Sequence, residues 1–183
     1  MGRLILITGG SRSGKSDYAL GAAEAIHGPH AFVATCSAED NEMRERIKKH
    51  QESRDSSVWS TIEEPLRLTG VLRNNGHFQV FLIDCLTLWV SNMMFDASKR
   101  GQTLSEAEVA DRVSELLQVV SEISATTICV TNEVGWGIVP EDPVSRLFRD
   151  VVGRCNQIVA GAADEVILVS CGIPLKLKTR RAE

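Results

Sequence analysis

The stretch that decides the fold is Arg3-Leu-Ile-Leu-Ile-Thr-Gly-Gly-Ser-Arg-Ser-Gly-Lys-Ser16. Its first half, Arg3–Thr8, is an apolar run that predicts a buried β-strand. Its second half, residues 9–16, fits the phosphate-loop pattern Gly-x4-Gly-Lys-Ser/Thr at every fixed position. Residues 15–26 are rich in alanine and predict a helix that stops before Gly28. A phosphate loop requires this order of strand, loop and helix, so the match predicts that the chain binds a nucleoside triphosphate.

The chemistry of such a loop assigns a role to each residue type. Glycines let backbone amides turn toward phosphate oxygens, and the start of the helix adds its positive dipole end. Lys15 is expected to reach the β- and γ-phosphates, and the Ser16 hydroxyl is expected to bind Mg²⁺. The alternative is a glycine-rich turn in which Lys15 is merely solvated. The pattern does not say whether a phosphate is transferred, or to which acceptor.

Apolar runs and helical patterns alternate over the rest of the chain. The apolar runs are continuous, which is typical of parallel strands covered by helices on both faces. The sequence therefore predicts an α/β, single-domain phosphate-loop NTPase fold over residues 1–183, with a mostly parallel sheet flanked by helices. Thr103 and Glu106 form a capping-box pattern at the start of one helix. The predicted strands are 31–34, 79–83, 127–131, 165–169 and 175–178, and the predicted helices are 39–54, 103–124 and 143–162.

Composition excludes several classes of protein. The 183 residues carry 20 Lys and Arg against 24 Asp and Glu, so no basic excess points to nucleic acid as a partner. No apolar run approaches the roughly 20 residues of a membrane-spanning helix. The odd number of cysteines, without a Cys-x-x-Cys pair, predicts free thiols in a reducing compartment and hence a cytoplasmic protein. The five cysteines are Cys36, Cys85, Cys129, Cys155 and Cys171.

Polar residues follow the predicted strands, and ligands of parallel α/β sheets bind beyond the carboxyl ends of the strands. Thr35 and Cys36 follow one strand, and Asp84 follows another. An acidic residue after four apolar ones favours a second magnesium ligand, although Asp84 could instead cap a turn. Glu133 follows the next strand and could orient an attacking hydroxyl or water, or pair with an arginine.

His50 lies in a basic segment, on the same predicted helix side as Met43 and Ile47. A histidine there is usually a packed core residue, and a charge run is usually a solvated surface. The catalytic alternative is a neutral imidazole that attacks the α-phosphate of a nucleotide, forms a nucleotidyl-histidine and releases pyrophosphate. The cations around it are Arg44, Arg46, Lys48, Lys49 and Arg54.

Two stretches are distinctive beyond the phosphate loop: Leu82-Ile-Asp-Cys-Leu-Thr-Leu-Trp89 and Val130-Thr-Asn-Glu-Val-Gly-Trp-Gly-Ile-Val-Pro140. With residues 46–65, 146–157 and 172–175, they span nearly the whole chain in order. Together they resemble the bifunctional adenosylcobinamide kinase / adenosylcobinamide-phosphate guanylyltransferase family of cobalamin biosynthesis.

The resemblance implies two reactions and a set of partners. The hydroxyl of adenosylcobinamide takes the γ-phosphate of ATP or GTP, and adenosylcobinamide phosphate then takes GMP from a guanylylated histidine. The product is adenosylcobinamide-GDP, and Mg²⁺ is the implied cofactor. The resemblance also implies a recombinase-type phosphate-loop fold and a homotrimer with sites near the subunit boundaries.

The resemblance places the guanylylated histidine at His50 and a catalytic role at Lys15. Gln51 departs from the family pattern, in which this position is often basic, so only its backbone is expected to contact phosphate. Trp89 is expected in the core, and the role of Trp136 is left open. The implied nucleotide contacts are Gly9, Gly10, Ser11, Arg12, Ser13, Gly14, Lys15, Ser16, Ala34, Thr35, Cys36, Gln51, Glu52, Ser53, Arg54, Glu63 and Asp84.

Three other functions compete with this interpretation. A small-molecule kinase without a covalent step would share the phosphate loop and Asp84 but leave His50 idle. A regulatory GTPase would usually carry an Asn-Lys-x-Asp run, which the sequence lacks. A noncatalytic nucleotide-binding subunit would bind GTP without turnover.

Overall fold

A computed structural model describes residues 2–36 and 57–179. The helices in these ranges are α1 (Lys15–Glu24), α2 (Leu68–Asn74), α3 (Leu86–Lys99), α4 (Glu106–Glu122) and α5 (Pro143–Ala162), with a short 3₁₀ turn at Val134–Trp136. The strands are β1 (Arg3–Thr8), β2 (His30–Ala34), β3 (Trp59–Glu63), β4 (Val80–Asp84), β5 (Thr126–Val130), β6 (Glu165–Ser170) and β7 (Ile173–Lys178).

The strands form one seven-stranded sheet in the order β3-β2-β4-β5-β1-β6-β7. Strands β1 to β6 pair in parallel, and β7 pairs antiparallel with β6 at one edge. One apolar cluster packs α1 against one face of the sheet. A second cluster packs the four helices α2, α3, α4 and α5 against the other face. The predicted α/β class, with a mostly parallel sheet flanked by helices, is confirmed.

The order of the strands brings the predicted site residues to one edge. β1 carries the phosphate loop at its carboxyl end, and β4 ends in Asp84. β5 lies between them, and its carboxyl end leads into Glu133. Because these strands are parallel, their carboxyl ends meet at the same edge of the sheet. The grouping expected from the sequence is therefore confirmed.

The start of α4 corrects one prediction. The helix begins at Glu106, and its capping box pairs Ser105 with Glu108 rather than Thr103 with Glu106. The Ser105 hydroxyl accepts from the Glu108 amide at 3.2 Å, and the Ser105 amide donates to Glu108 Oε2 at 2.8 Å. Both pairs fit the same four-residue pattern. The apolar periodicity begins only at Val109, so it does not show which of the two pairs caps the helix.

The sequence did not predict β3, α2 or α3. β3 is an edge strand with the half-polar sequence Trp-Ser-Thr-Ile-Glu, so it lacks the continuous apolar run of the inner strands. Ile173 and Pro174, expected in a turn, belong to β7. The helix predicted over 39–54 lies outside the described residues.

Two further sequence expectations can be compared with the structure. All five cysteines are free thiols, as expected. Burial raises the pKa of Cys85 to about 11 and that of Cys155 to about 12, so these thiols behave as apolar core groups. Among the described residues, no helix is both long enough and apolar enough to cross a bilayer.

Candidate nucleotide site

The phosphate loop is shaped by two glycines that have no room for a side chain. A Cβ atom on Gly9 would lie 2.3 Å from the carbonyl oxygen of Val169. Gly14 has a φ of +89°, and a Cβ there would lie 3.1 Å from the Cα of Gly172. The Gly172 amide also donates to the Ser13 carbonyl at 2.8 Å. The turn between β6 and β7 therefore supports the loop from outside, a contribution that the sequence pattern did not reveal.

Lys15 is the central cation of the loop. Its side chain is buried, and Nζ donates to the carbonyl oxygen of Gly10 at 3.0 Å. Burial lowers the pKa of Lys15, and the nearby carboxylate of Asp84 opposes this shift. Lys15, predicted at the start of a helix, and Asp84, predicted at the end of a strand, are therefore electrostatic neighbours. An ammonium group in this position can exchange a carbonyl oxygen for a phosphate oxygen.

Ser13 adds a second polar group inside the loop. Its hydroxyl is buried and has no hydrogen-bond partner within the described ranges. An unpaired buried hydroxyl usually costs free energy unless a ligand accepts from it. A phosphate oxygen would provide such an acceptor.

Ser16 and Asp84 have the donor chemistry that Mg²⁺ requires. Both side chains are half-buried, Ser16 in the first turn of α1 and Asp84 at the end of β4. Mg²⁺ binds oxygen donors, and it usually keeps water and substrate phosphate as further ligands rather than a protein cage. Residues 2–36 and 57–179 contain no cluster of three His, Cys, Asp or Glu suited to a metal ion.

Thr35 fixes the backbone beside Asp84. Its buried hydroxyl accepts from the Cys85 amide and donates to the Cys85 carbonyl, both at 2.8 Å. The Thr35 amide donates to the Asp84 carbonyl at 3.2 Å. These contacts join the carboxyl ends of β2 and β4, so they set the position from which the Asp84 carboxylate extends.

Asn92, on α3, is a residue that the sequence analysis missed. Its side-chain amide donates to the carbonyl of Thr35 at 2.7 Å and to that of Pro65 at 3.1 Å. Ala34 and Glu63 pair in the sheet, so one amide group holds both strand ends at which nucleotide contacts are expected. The signal that the sequence analysis missed was the position of Asn92 among apolar helix residues. Its neighbours Trp89, Val90 and Met93 are buried.

Glu133 is bound to the base of the phosphate loop. The Thr8 hydroxyl donates to Glu133 Oε1 at 2.5 Å, and the Glu133 amide donates to the Gly9 carbonyl at 3.2 Å. No arginine in the described part of the chain forms an ion pair with it, so the expected alternative of an arginine partner finds no support there.

A buried polar network holds the segment that precedes Glu133. The Thr131 hydroxyl donates to Asn156 Oδ1 at 2.7 Å, and Asn156 Nδ2 donates to the Asn132 carbonyl at 3.1 Å. The Asn132 amide donates to the Thr87 hydroxyl at 2.8 Å. The network links β5, α3 and α5, and such satisfied networks make a buried region rigid.

The structure brings most of the predicted site residues to the carboxyl edge of the sheet. Trp89 lies in the core, as expected, and its indole N–H donates to the Leu66 carbonyl at 3.0 Å. Trp136 is 67% exposed. The residues at the edge are Gly9 to Ser16, Ala34, Thr35, Cys36, Glu63 and Asp84, whereas His50, Gln51, Glu52, Ser53 and Arg54 lie outside the described ranges.

Comparison with known proteins adds a family to this geometry. A model of the family described as "Cobinamide kinase / cobinamide phosphate guanyltransferase" matches residues 5–177. The bifunctional adenosylcobalamin biosynthesis protein CobU of Escherichia coli is 37% identical over an alignment 185 residues long. The alignment covers 96% of this chain and 99% of the relative. CobU of Salmonella typhimurium is 38% identical with the same coverage. CobP of Pseudomonas aeruginosa is 37% identical over 175 residues, 94% of this chain and 96% of the relative.

These matches run through the phosphate loop, β4 with Asp84, and the polar network around Thr131, and they confirm the resemblance found in the sequence. The chain belongs to the cobinamide kinase / cobinamide phosphate guanyltransferase family.

Proposed function

We propose that this chain phosphorylates adenosylcobinamide with ATP or GTP, and then transfers GMP from GTP to adenosylcobinamide phosphate to give adenosylcobinamide-GDP. Membership of the family supports both reactions. The observation that carries the proposal in the structure is the buried Lys15, held in a complete phosphate loop beside Asp84.

In the kinase step, the hydroxyl oxygen of adenosylcobinamide attacks the γ-phosphorus, and the bond to the β-γ bridging oxygen breaks. ADP or GDP leaves, and the hydroxyl proton passes to a base. Lys15 and the loop amides stabilise the charge on the phosphoryl oxygens. Glu133 is the candidate for orienting the attacking hydroxyl, because Thr8 and Gly9 hold it at the base of the loop.

Mg²⁺ is part of this proposal, with Ser16 and Asp84 as its protein ligands. Their oxygen donors fit the ion, which would supply charge neutralisation at the phosphates. Asp84 is held in place by Thr35, and Ser16 by the first turn of α1.

In the guanylyltransferase step, His50 is the proposed nucleophile. Its imidazole attacks the α-phosphorus of GTP, pyrophosphate leaves, and a guanylyl-histidine forms. A phosphate oxygen of adenosylcobinamide phosphate then attacks the same phosphorus and releases the histidine. Ala34 to Cys36, Gln51 to Arg54, Glu63 and Asp84 are the proposed nucleotide contacts beyond the loop.

The remaining expectations belong to the same proposal. The chain acts as one domain over residues 1–183, works in the cytoplasm, binds no nucleic acid, and assembles as a homotrimer with a recombinase-type fold. The free thiols are consistent with a reducing compartment.

The decisive experiment incubates the protein with Mg²⁺ and GTP labelled at the α-phosphate. We expect protein-bound label that is stable in alkali and released by acid. His50→Ala should abolish the label but retain ATP-dependent phosphorylation of adenosylcobinamide. Lys15→Ala should weaken both steps, because both use the triphosphate site.

His27→Ala is the matched control, since His27 is an exposed histidine at the opposite, amino edge of the sheet. It should keep full labelling. An unlabelled wild-type protein would contradict the guanylyltransferase half of the proposal. A Lys15→Ala variant with a full kinase rate would contradict the assignment of the phosphate site.

A further inference from the structure

A pocket of about 420 Å³ opens between the second half of α3, the segment before α4, and the first turns of α5. It is separate from the phosphate loop, and the proposed nucleotide chemistry does not use it. We call it the α3–α5 pocket. Its wall is apolar and is formed by Met94, Phe95, Leu104, Val144, Leu147 and Phe148.

The polar residues of the α3–α5 pocket are all neutral. None of the lining residues in the described ranges is charged, although 24% of the chain is charged. The Ser145 hydroxyl is bonded to the Asp142 carboxylate. Within the described ranges the other four side chains form no hydrogen bond with another protein group, so their donors and acceptors are available to a ligand. This combination selects a neutral ligand with both apolar surface and amide or hydroxyl groups. The neutral residues are Ser91, Ser98, Gln102, Thr103 and Ser145.

The pocket lies toward the carboxyl edge of the sheet, where the candidate nucleotide site also lies. α4 and α5 end just before the amino ends of β5 and β6, so their first turns lie toward the carboxyl edge. α3 begins two residues after Asp84. At about 1.5 Å per residue, Ser91 and Ser98 lie roughly 8 and 18 Å along α3 from its start. The pocket therefore begins roughly 8 Å along α3 from the residues that follow Asp84, a distance within the span of a large substrate.

Exposed apolar side chains occur both at the pocket and in the segment that follows Glu133. Phe95 and Val144 line the pocket and are 55% and 64% exposed. Trp136, Ile138 and Val139 are also exposed and precede α5, and Ile138 is 96% exposed. Exposed apolar side chains that line a pocket, as Phe95 and Val144 do, are typical of a binding site rather than of scattered surface residues.

We propose that the α3–α5 pocket docks the corrinoid substrate by holding one edge of its macrocycle. A corrin ring carries apolar methyl groups and neutral amide side arms, which match the apolar wall and the neutral hydroxyl and amide groups. An open pocket can hold one edge of a ring that is too large to enclose. The arm that bears the reacting hydroxyl then extends along α3 toward Lys15 and Asp84. The inference rests on the proposed function.

The test fills the pocket without removing its apolar wall. Ser98→Trp should raise the KM for adenosylcobinamide in the kinase step by about tenfold, which corresponds to about 1.4 kcal/mol. Equilibrium dialysis with dicyanocobinamide should show a similar loss of affinity. Labelling by GTP, which needs no corrinoid, reports whether each variant still folds and binds nucleotide.

Ser121→Trp is the matched control, because Ser121 is also an exposed helical serine and lines a different pocket of about 240 Å³. It should leave both corrinoid measurements unchanged. If Ser98→Trp does not label, Val144→Ser replaces it, with Leu177→Ser on β7 as its equally exposed control.

Three results would overturn the inference in distinguishable ways. An active wild-type protein whose Ser98→Trp variant keeps its corrinoid KM and affinity would place the corrinoid elsewhere. A Ser98→Trp variant that changes the sedimentation coefficient but not the corrinoid affinity would assign the pocket to a second copy of the chain. A wild-type protein that neither phosphorylates adenosylcobinamide nor binds dicyanocobinamide would remove the proposed function itself.

Discussion

At the scale of single residues, the candidate site depends on short polar side chains that hold the backbone in place. Thr35 binds both sides of the Cys85 peptide, and Asn92 binds the carbonyls of Thr35 and Pro65. The sequence pattern predicted roles for Lys15, Ser16 and Asp84, because such residues recur in phosphate loops and the strands beside them. It could not identify Asn92, because that role exists only once α3 has been placed against β2.

Asn92→Ala is expected to raise the KM for GTP roughly tenfold, about 1.4 kcal/mol, which is the order of a net buried hydrogen bond. The reason is that the backbone of Thr35 and Cys36 loses its support. The KM for adenosylcobinamide should stay unchanged. Both values come from initial rates of the two half-reactions.

Asn75→Ala serves as its control. Asn75 also donates one side-chain hydrogen bond to a carbonyl, that of Val71 at 2.9 Å, but it lies at the end of α2. It should lose comparable stability without a change in the KM for GTP. Equal KM values in the two variants would show that Asn92 contributes only to folding.

At the scale of elements, the clearest correction concerns the start of α4. Two overlapping Ser/Thr-x-x-Glu pairs compete at this start, and the helix uses Ser105 and Glu108. The hydrogen bond from the Ser105 amide lowers the pKa of Glu108. The helix Pro143–Ala162, by contrast, could be predicted to the residue, because Asp142 and Pro143 mark its start unambiguously.

Ser105→Ala should therefore destabilise the protein by about 1 kcal/mol, the usual cost of losing an N-cap. Thr103→Ala should stay within about 0.5 kcal/mol, because Thr103 caps nothing. Urea denaturation of both variants measures the difference. A larger loss for Thr103→Ala would mean that the helix starts where the sequence first placed it.

At the scale of the whole molecule, the sheet is held at one edge by charges as well as by backbone. Glu165 on β6 pairs with Arg3 on β1 and with Lys176 on β7, the latter at 3.2 Å. The inner strands could be predicted because they are continuous apolar runs. The edge strand β3 could not, because exposure lets polar residues into the strand.

Glu165→Gln is expected to lower stability near pH 7 by roughly 0.5–1 kcal/mol, because Arg3 and Lys176 are both about half exposed. The hydrogen bond from the Arg3 guanidinium, followed by that from Lys176, lowers the pKa of Glu165 below the ordinary 4.5. The stabilisation that the Glu165 carboxylate provides is therefore complete above pH 4.5, its ordinary pKa. It is lost as the pH falls through the lowered pKa of Glu165.

Urea denaturation of the wild-type and Glu165→Gln proteins near pH 7 and below about pH 3 measures this dependence. The two stabilities should converge at the acid end. A difference that persists there would assign the effect to packing instead of charge.

The support that Gly172 gives to the phosphate loop has a consequence for synthesis on the ribosome. The loop leaves the exit tunnel before β5, β6 and Gly172 do, yet β1 pairs with β5 and β6, and Gly172 closes on Ser13. A nascent chain thus carries the complete loop sequence long before it can hold a nucleotide. The loop therefore gains its outside support only after Gly172 has emerged.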